Sequence, residues 1–501
     1  MIAINIYKYR SLATNVPQSE IDSLHDLYNA TDGSNWDWKA EGNQWNFSGD
    51  PNPCLGWQGI NCSNVVAGSN YLHISELILI DYNLDGTLPN SIGSLSELLV
   101  LNLDENPLHG TIPEEIGTDM RNLTYLSLQN SHMSGRIPSS LGQLAELTYL
   151  ALTNGNYEDH IPESFGDLVR LRTLRMSDTN VRGVIPRTLG SMKNLTELSL
   201  NFNYLVGPIP RDLGKLTLLK ILDLSFNDLS GSLPVELFEN LTTLVTLDLE
   251  ENALSGSLPE TLGNMVSLET MELNDNIFTG SIPDSIGNLI ALNTLQLSNN
   301  FCNSSIPASI GYLASLDELD LDSVRVTGPI PDTICECTAL TWMNLQGNLL
   351  TNKIPDCIGE MEALTDLFLN TNKFTGPIPV TLGNKPQLQY LALDQNHLTG
   401  TIPANISRIT HLVTLNLFSN LLNGTIPPSI ASIPSLQNCD LHSNRLVGTV
   451  PKELFDMSFL GFMDLQYNSL TGTLPPEMGY SNSLREVYLD NNQLTGVLPI
   501  D

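Results

Sequence analysis

Short bursts of alternating apolar and polar residues run along almost the whole chain, each followed by a glycine, an apolar residue and a proline. One unit reads Leu195-Thr-Glu-Leu198-Ser-Leu200-Asn-Phe-Asn203-Tyr-Leu-Val-Gly207-Pro-Ile-Pro210-Arg-Asp-Leu-Gly-Lys-Leu216. Leu198 and Leu200, separated by polar neighbours, give the period of a half-buried strand. The Pro-x-x-Leu-Gly-x-Leu stretch behind them is too short for a full helix and predicts a helical turn or 3₁₀ segment. Leu216, Leu219, Leu222 and Leu224 then begin the pattern again. The apolar-proline pair occurs eighteen times, with prolines at 89, 113, 138, 162, 186, 210, 234, 259, 283, 307, 331, 355, 379, 403, 427, 451, 475 and 499. Fifteen of the seventeen intervals are 24 residues and two are 25, which overrides the several-domain expectation for 501 residues. A fixed period in the twenties marks a solenoid, in which each unit buries its apolar face only against its neighbours. The expected class is an α/β solenoid.

Seven residues before each of these prolines stands an asparagine in thirteen units: Asn106, Asn203, Asn227, Asn252, Asn276, Asn300, Asn348, Asn372, Asn396, Asn420, Asn444, Asn468 and Asn492. A buried amide there can satisfy backbone groups of its own and the adjacent turn, where the chain leaves the sheet. Tyr82, Ser131, Gly155, Thr179 and Val324 replace it, and the three consecutive exceptions at 131, 155 and 179 predict a locally irregular or more mobile stretch. Glycine three before the proline gives way only to Asp159, Ser304 and Asn352.

The consensus Leu-x-x-Leu-x-Leu-x-x-Asn-x-Leu-x-Gly-x-Ile-Pro resembles the plant-type leucine-rich repeat. Upstream, Ile21-Asp-Ser-Leu-His-Asp-Leu-Tyr28-Asn-Ala-Thr-Asp-Gly33-Ser-Asn-Trp36 and Pro53-Cys54-Leu-Gly-Trp57-Gln-Gly59-Ile-Asn-Cys62 resemble that family's N-terminal cap, in a variant similar to caps of algal, diatom and oomycete proteins. The resemblance implies a right-handed superhelix with a parallel sheet on the concave face and 3₁₀ or short helical turns on the convex face. It divides the chain into a disordered arm (1–18), a cap (19–63) and eighteen repeats (64–501). A cap is needed because a solenoid end exposes apolar cross-section. Its helix is expected over 19–30, with Ser19 as N-cap and Ile21, Leu24, Leu27 and Tyr28 inward. The resemblance also implies a Cys54–Cys62 disulfide, with Trp36, Trp45 and Trp57 packed around it. No terminal cap follows the last Leu-Pro, so a longer parent chain is expected.

Outward residues of repeat strands lie 13, 11, 9 and 8 positions before each proline, giving 72 concave sites. Twenty-one are Asp or Glu and Arg175 is the one basic residue, where overall composition predicts roughly eight and three. Carboxylates stacked in one column, such as Asp223, Asp248 and Glu272, repel at roughly 1 kcal/mol per pair in water, which a solvated face tolerates. The acid is densest at Asp223, Asp248, Glu250, Glu251, Glu272, Asp275, Glu318, Asp320 and Asp322. Aromatics share these positions, among them Tyr125, Tyr149, Phe202, Phe226, Trp342, Phe368, Tyr390, Phe418, Phe462, Tyr467 and Tyr488. Exposed aromatics serve as binding anchors or as cross-strand contacts. The partner-binding residues expected are Phe202, Phe226, Trp342 and the nine acidic residues, and the partner is a basic peptide or protein. Charge reversal at Asp223, Asp248 and Glu272 should then abolish capture.

A formal charge of −33 argues against nucleic acid or an anionic membrane as partner. No apolar run of about 18 residues exists to insert into a bilayer, and the first ten residues make a poor secretion signal. Cys302 and Cys439 stand at core positions; a Cys335–Cys357 bridge between adjacent turns is open, and Cys335-x-Cys337 lacks the further ligands of a metal site. No metal or cofactor is therefore expected, with calcium between clustered carboxylates of the acidic face as the alternative. Nine glycosylation sequons, at Asn29, Asn46, Asn61, Asn122, Asn194, Asn240, Asn303, Asn405 and Asn423, avoid the concave positions within the repeats. No phosphate-binding loop, zinc-protease motif, nucleophile elbow or kinase signature occurs, so no catalysis is expected. The family resemblance implies the ligand-binding ectodomain of a receptor-like protein, extracellular or at the cell surface, with a co-receptor as a further partner. The alternatives are a secreted binder, such as a hydrolase inhibitor or matrix component, and an intracellular scaffold.

Overall fold

The computed structural model describes residues 15–63 and 71–499. Two compact units form, residues 1–244 and 245–501.

The first unit opens with the helix Gln18–Ala30, which buries Ile21, Leu24 and Leu27, with Tyr28 half-buried. Ser19 is not its N-cap: the helix begins one residue earlier, behind Pro17, and no side chain caps it. Pro17 supplies an extended residue in front of the first turn, and its carbonyl accepts the Glu20 and Ile21 amides. Residues 15–18 likewise belong to the packed cap rather than to an arm, because Val16 is buried and Asn15 O accepts the Leu72 amide. The remainder of the expected arm lies outside the described residues. Glu20 is buried, held by His73 Nδ1 at 2.6 Å and the Ile74 amide at 2.9 Å. Burial raises its pKa, and those two hydrogen bonds oppose the rise. Trp36, Trp45 and Trp57 are buried as a cluster, with Trp45 at 4.9 Å from Trp36 and 5.8 Å from Trp57 between ring centres. Cys54 and Cys62 are bridged.

Strand Ile60–Ser63 pairs antiparallel with His73–Ile78, and parallel strands then follow one per repeat to Ile221–Asp223. Register is that of the repeat, so Leu198 meets Leu222 while Glu197 and Ser199 meet Ile221 and Asp223. Both leucines are fully buried. Each such side chain contributes about 1.5–3 kcal/mol, so the core is a column of small equal terms rather than one central cluster. The returning segments are 3₁₀ turns such as Arg211–Lys215 or one-turn helices such as Val235–Asn240. They pack closely: a Cβ on Gly214 would lie 2.4 Å from the Glu236 carbonyl oxygen.

The asparagines act as their spacing requires. Asn203 Oδ1 accepts the Thr179 and Val181 amides, and its Nδ2 donates to Met176 O, Leu200 O and Asn201 O. Where asparagine is missing, the substitutes differ. Ser131 and Thr179 each donate a hydroxyl to a carbonyl three residues back. At Gly155 the fully buried Tyr157 ring fills the space, touching where a Cβ would stand. That repeat also keeps only isolated bridges where its neighbours have a second short strand, so the expected irregularity is visible there.

The second unit repeats the same plan from Thr246–Asp248 to Glu486–Tyr488. Cys302 and Cys439 are buried and unbridged, as their core positions require. Cys335 and Cys357 form a disulfide between adjacent 3₁₀ turns, leaving Cys337 buried with its thiol on Ile310 O at 3.2 Å. The Cys-x-Cys pair is therefore no metal half-site. Asn352, in the glycine's place, keeps the left-handed φ of 68° that Gly328 adopts at 77°.

Candidate functional site: the open face of the sheet

Among the four outward positions, the one 13 before the proline is open to solvent at least in part, as at Ile221 or Glu318. The positions 11 and 9 before depart from expectation in part. Ser127, Ala151 and Asn344 at the first, and Ser225, Asn274, Ser298 and Asp394 at the second, are buried, while Asp223, Asp320, Glu250 and His442 are half-buried. The position 8 before is left-handed in repeat after repeat, including Phe202, Phe226, Glu251, Asp275 and Tyr467 with φ between 50° and 54°. Asn or Gly suits that conformation, and a bulky aromatic does not.

In the first unit the face carries two ring pairs. Tyr125 and Tyr149 stack at 4.3 Å, and Phe202 and Phe226 at 4.2 Å with their planes 7° apart. Stacking leaves Phe202 51% exposed, so the pair is a solvent-facing apolar plate. Arg175 is bound by Glu197 at 2.6 and 3.1 Å and lies 5.9 Å from the Tyr149 ring, so it is no free cation. Asp223 Oδ1 accepts both the Ser225 amide and hydroxyl, and burial still pushes its pKa upward.

The second unit holds most of the acid. Asp248 and Glu272 are register partners, and their ligand oxygens with that of Glu250 lie within 4.8 Å of one another. Glu250 Oε1 accepts from Asn274, Asp275 from Asn299 and Glu318 from Gln296, while Glu251 is exposed. Asp320 is pushed up to about 6, chiefly by burial and further by Asp322 and Glu318. Asp394 reaches about 6 for the same first cause, with Asp440 adding to it. Trp342 lies 5.9 Å from Phe368, which lies 6.4 Å from Tyr390.

Part of the acidic excess has a structural cause that a residue count cannot show. Asp223, Asp248, Asp320, Asp440 and Asp464 each accept the amide two residues on, closing the strand's end. Glu318 uses its carboxylate differently, accepting from Gln296 of the preceding repeat. Sequence reasoning missed the Asp440, His442 and Asp464 grouping, because Asp464 arrives from the next repeat. The one available signal was a histidine two residues after a column aspartate.

Two leucine-rich-repeat family models match, one over residues 169–229 and 217–278, the other over 122–144, 387–409 and 411–433. The plant peptide hormone receptor RGFR1, solved with RGF2, is 33% identical with a TM-score of 0.83, covering 87% of this chain and 72% of that one. The chain belongs to the leucine-rich-repeat family. Within it, this leucine-rich-repeat chain is of the plant receptor-ectodomain type. The Arabidopsis receptor kinase HAESA, solved with the peptide hormone IDA and the co-receptor SERK1, is 30% identical with a TM-score of 0.72 over 89% of this chain and 82% of that one. Phytosulfokine receptor 1 of Arabidopsis thaliana is 35% identical over 97 residues, 19% of this chain and 9% of that protein. A probable receptor-like serine/threonine-protein kinase of the same plant is 30% identical over 142 residues, 28% of this chain and 14% of that protein. The matched stretches thus span a small part of these curated relatives.

Proposed function

We propose that this chain is a non-catalytic recognition module, the ligand-binding ectodomain of a receptor-like leucine-rich-repeat protein, and that it captures a basic peptide or protein on the open face of its sheet. One observation carries the reading: large aromatic residues stand exposed on an acidic face whose single lysine or arginine, Arg175, is already paired. Phe202 and Phe226 occupy a backbone conformation that disfavours them, and their rings stack on each other with Phe202 exposed and Phe226 half-buried. Such strain is retained where a binding surface needs the side chain. The excess of carboxylates at outward positions favours an arginine- or lysine-bearing ligand.

RGFR1 and HAESA were each solved with a peptide hormone, and HAESA with a co-receptor as well, which supports a peptide ligand and a second protein partner here. Two disulfides suit an oxidising compartment and so an extracellular setting. The six sequons within the repeats lie off the outward strand positions, at exposed Asn194, Asn240, Asn303 and Asn423 and half-buried Asn122 and Asn405, whereas Asn61 in the cap strand pairs with Glu76 on the sheet. Among the described residues no helix is long and apolar enough to cross a membrane.

The test is binding of two synthetic peptide pools of equal length and opposite net charge to the immobilised chain. The basic pool should bind, and Glu272→Arg with Glu318→Arg should weaken it, with far-UV circular dichroism confirming that the fold is kept; both side chains are partly open to solvent. Equal binding of both pools, or indifference to the double reversal, would refute the basic-ligand reading.

A further inference from the structure

Near the far end of the second unit, Asp440 and Asp464 occupy register-matched positions of the adjacent strands Asn438–Asp440 and Phe462–Asp464. His442 follows Asp440 by two residues, and its Nδ1 lies between the two carboxylates, 2.6 Å from Asp440 Oδ1 and 3.6 Å from Asp464 Oδ2. We propose that Asp440, His442 and Asp464 form a binding site for a divalent transition-metal ion of the zinc and manganese class.

Three features preorganise the set. One oxygen of each aspartate is fixed by the main chain, Asp440 Oδ1 by the His442 amide at 3.2 Å and Asp464 Oδ1 by the Gln466 amide at 2.9 Å. This turns Asp464 Oδ2 toward the imidazole. The imidazole plane is held by Phe418, which stacks on it at 4.5 Å and 9°. One ligand atom from each of the three residues lies within 4.8 Å of the others, so small side-chain rotations close them round an ion.

Charge supplies a separate argument. Asp394 is 3% exposed, forms no ion pair among the described residues, and feels the charges of both Asp440 and His442. Asp440 and Asp464 bring two carboxylates to one imidazole, a charge that one divalent ion offsets. Imidazole together with carboxylate suits zinc or manganese, while calcium takes oxygen alone. The all-oxygen group of Asp248, Glu250 and Glu272 lacks that nitrogen.

The experiment uses the whole chain, stripped with chelator and desalted. Manganese(II) is titrated in and followed by loss of the free-ion paramagnetic resonance signal, with zinc(II) by calorimetry. Manganese guards against capture by the buried thiols. One saturable ion per chain is expected, with paramagnetic broadening of the His442 ring resonances in the unaltered protein. His442→Gln and Asp464→Asn should each weaken binding about tenfold or more, and Glu272→Gln should leave it unchanged. Thermal melts in chelator check that the variants fold, and the broadening in unaltered protein decides if they do not. No saturable binding, no broadening at His442, or equal losses in Glu272→Gln would overturn the proposal.

Discussion

Replacing Asn203 with alanine removes a side chain that ties two repeats together from the inside. Its amide makes five hydrogen bonds with backbone groups: Oδ1 accepts from Thr179 N and Val181 N, both at 3.1 Å, and Nδ2 reaches Met176 O, Leu200 O and Asn201 O at 2.7, 2.9 and 3.1 Å. Nδ2 has two hydrogens for three acceptors, so about four full bonds are lost. At about 1 kcal/mol each, and with the site 6% exposed so that water replaces few of them, the loss is about 3–4 kcal/mol. Global melting is a poor assay, because a repeat array of two units need not unfold in one step. Amide hydrogen exchange at Thr179 and Val181 reports the local opening directly. Their exchange should accelerate by about 10²–10³-fold in Asn203→Ala, with no comparable change in the exposed Asn194→Ala control. Acceleration of less than about fivefold would show that the amide is replaceable, and the ladder argument would fail.

Asp320 takes up its proton at about 6 in the fold, against an ordinary 3.8, so the folded state binds more protons than the unfolded one between those values. Its contribution to stability is therefore full below about 4 and lost as pH rises through 6. Asp320→Asn should flatten that slope and stabilise the protein at pH 7 by about 1–2 kcal/mol, after discounting for a partly solvated group; an unchanged slope in denaturation midpoints from pH 4 to 7 would count against it. Phe202→Asn places a residue suited to φ 54° and should leave stability unchanged or raised by about 0.5–1 kcal/mol while weakening ligand capture; a loss of over 1 kcal/mol would mean the ring is structural. Removing the bridge that closes a 22-residue separation, by Cys335→Ser with Cys357→Ser, should destabilise by about 2–4 kcal/mol in denaturant, and no change would mean the turns need no clamp.

The solenoid was legible because every repeat restates it. Leu198, Asn203 and Gly207 each recur at one spacing, and physics that acts within one turn and its neighbour needs no more. Legibility fails where the cause crosses repeats or depends on depth. The Cys335–Cys357 pairing was open because connectivity is not written in spacing. Burial of Ser127, Ser225, Asn274 and Asp394 was missed because alternation fixes which side of a strand a residue takes, not how deeply larger neighbours in the same column cover it. Asp223 and Asp320 were read as charge alone, although their carboxylates also cap a strand end. Glu20 was unremarkable on a helical wheel; only the arrival of His73 and the Ile74 amide shows why it is buried.

The Cys335–Cys357 bridge has a mechanical consequence. A chain held together by neighbour contacts yields to tension by peeling, one turn after another, each turn lengthening the molecule. Between residues 335 and 357 that release is forbidden, because a covalent link rather than a hydrogen-bond ladder carries the load. Twenty-two residues at about 3.5 Å each, less the 5.9 Å already spanned, remove roughly 70 Å from the extension available to a pulled molecule. Under reducing conditions that length returns, so thiol chemistry sets how far this segment can stretch between two anchored points.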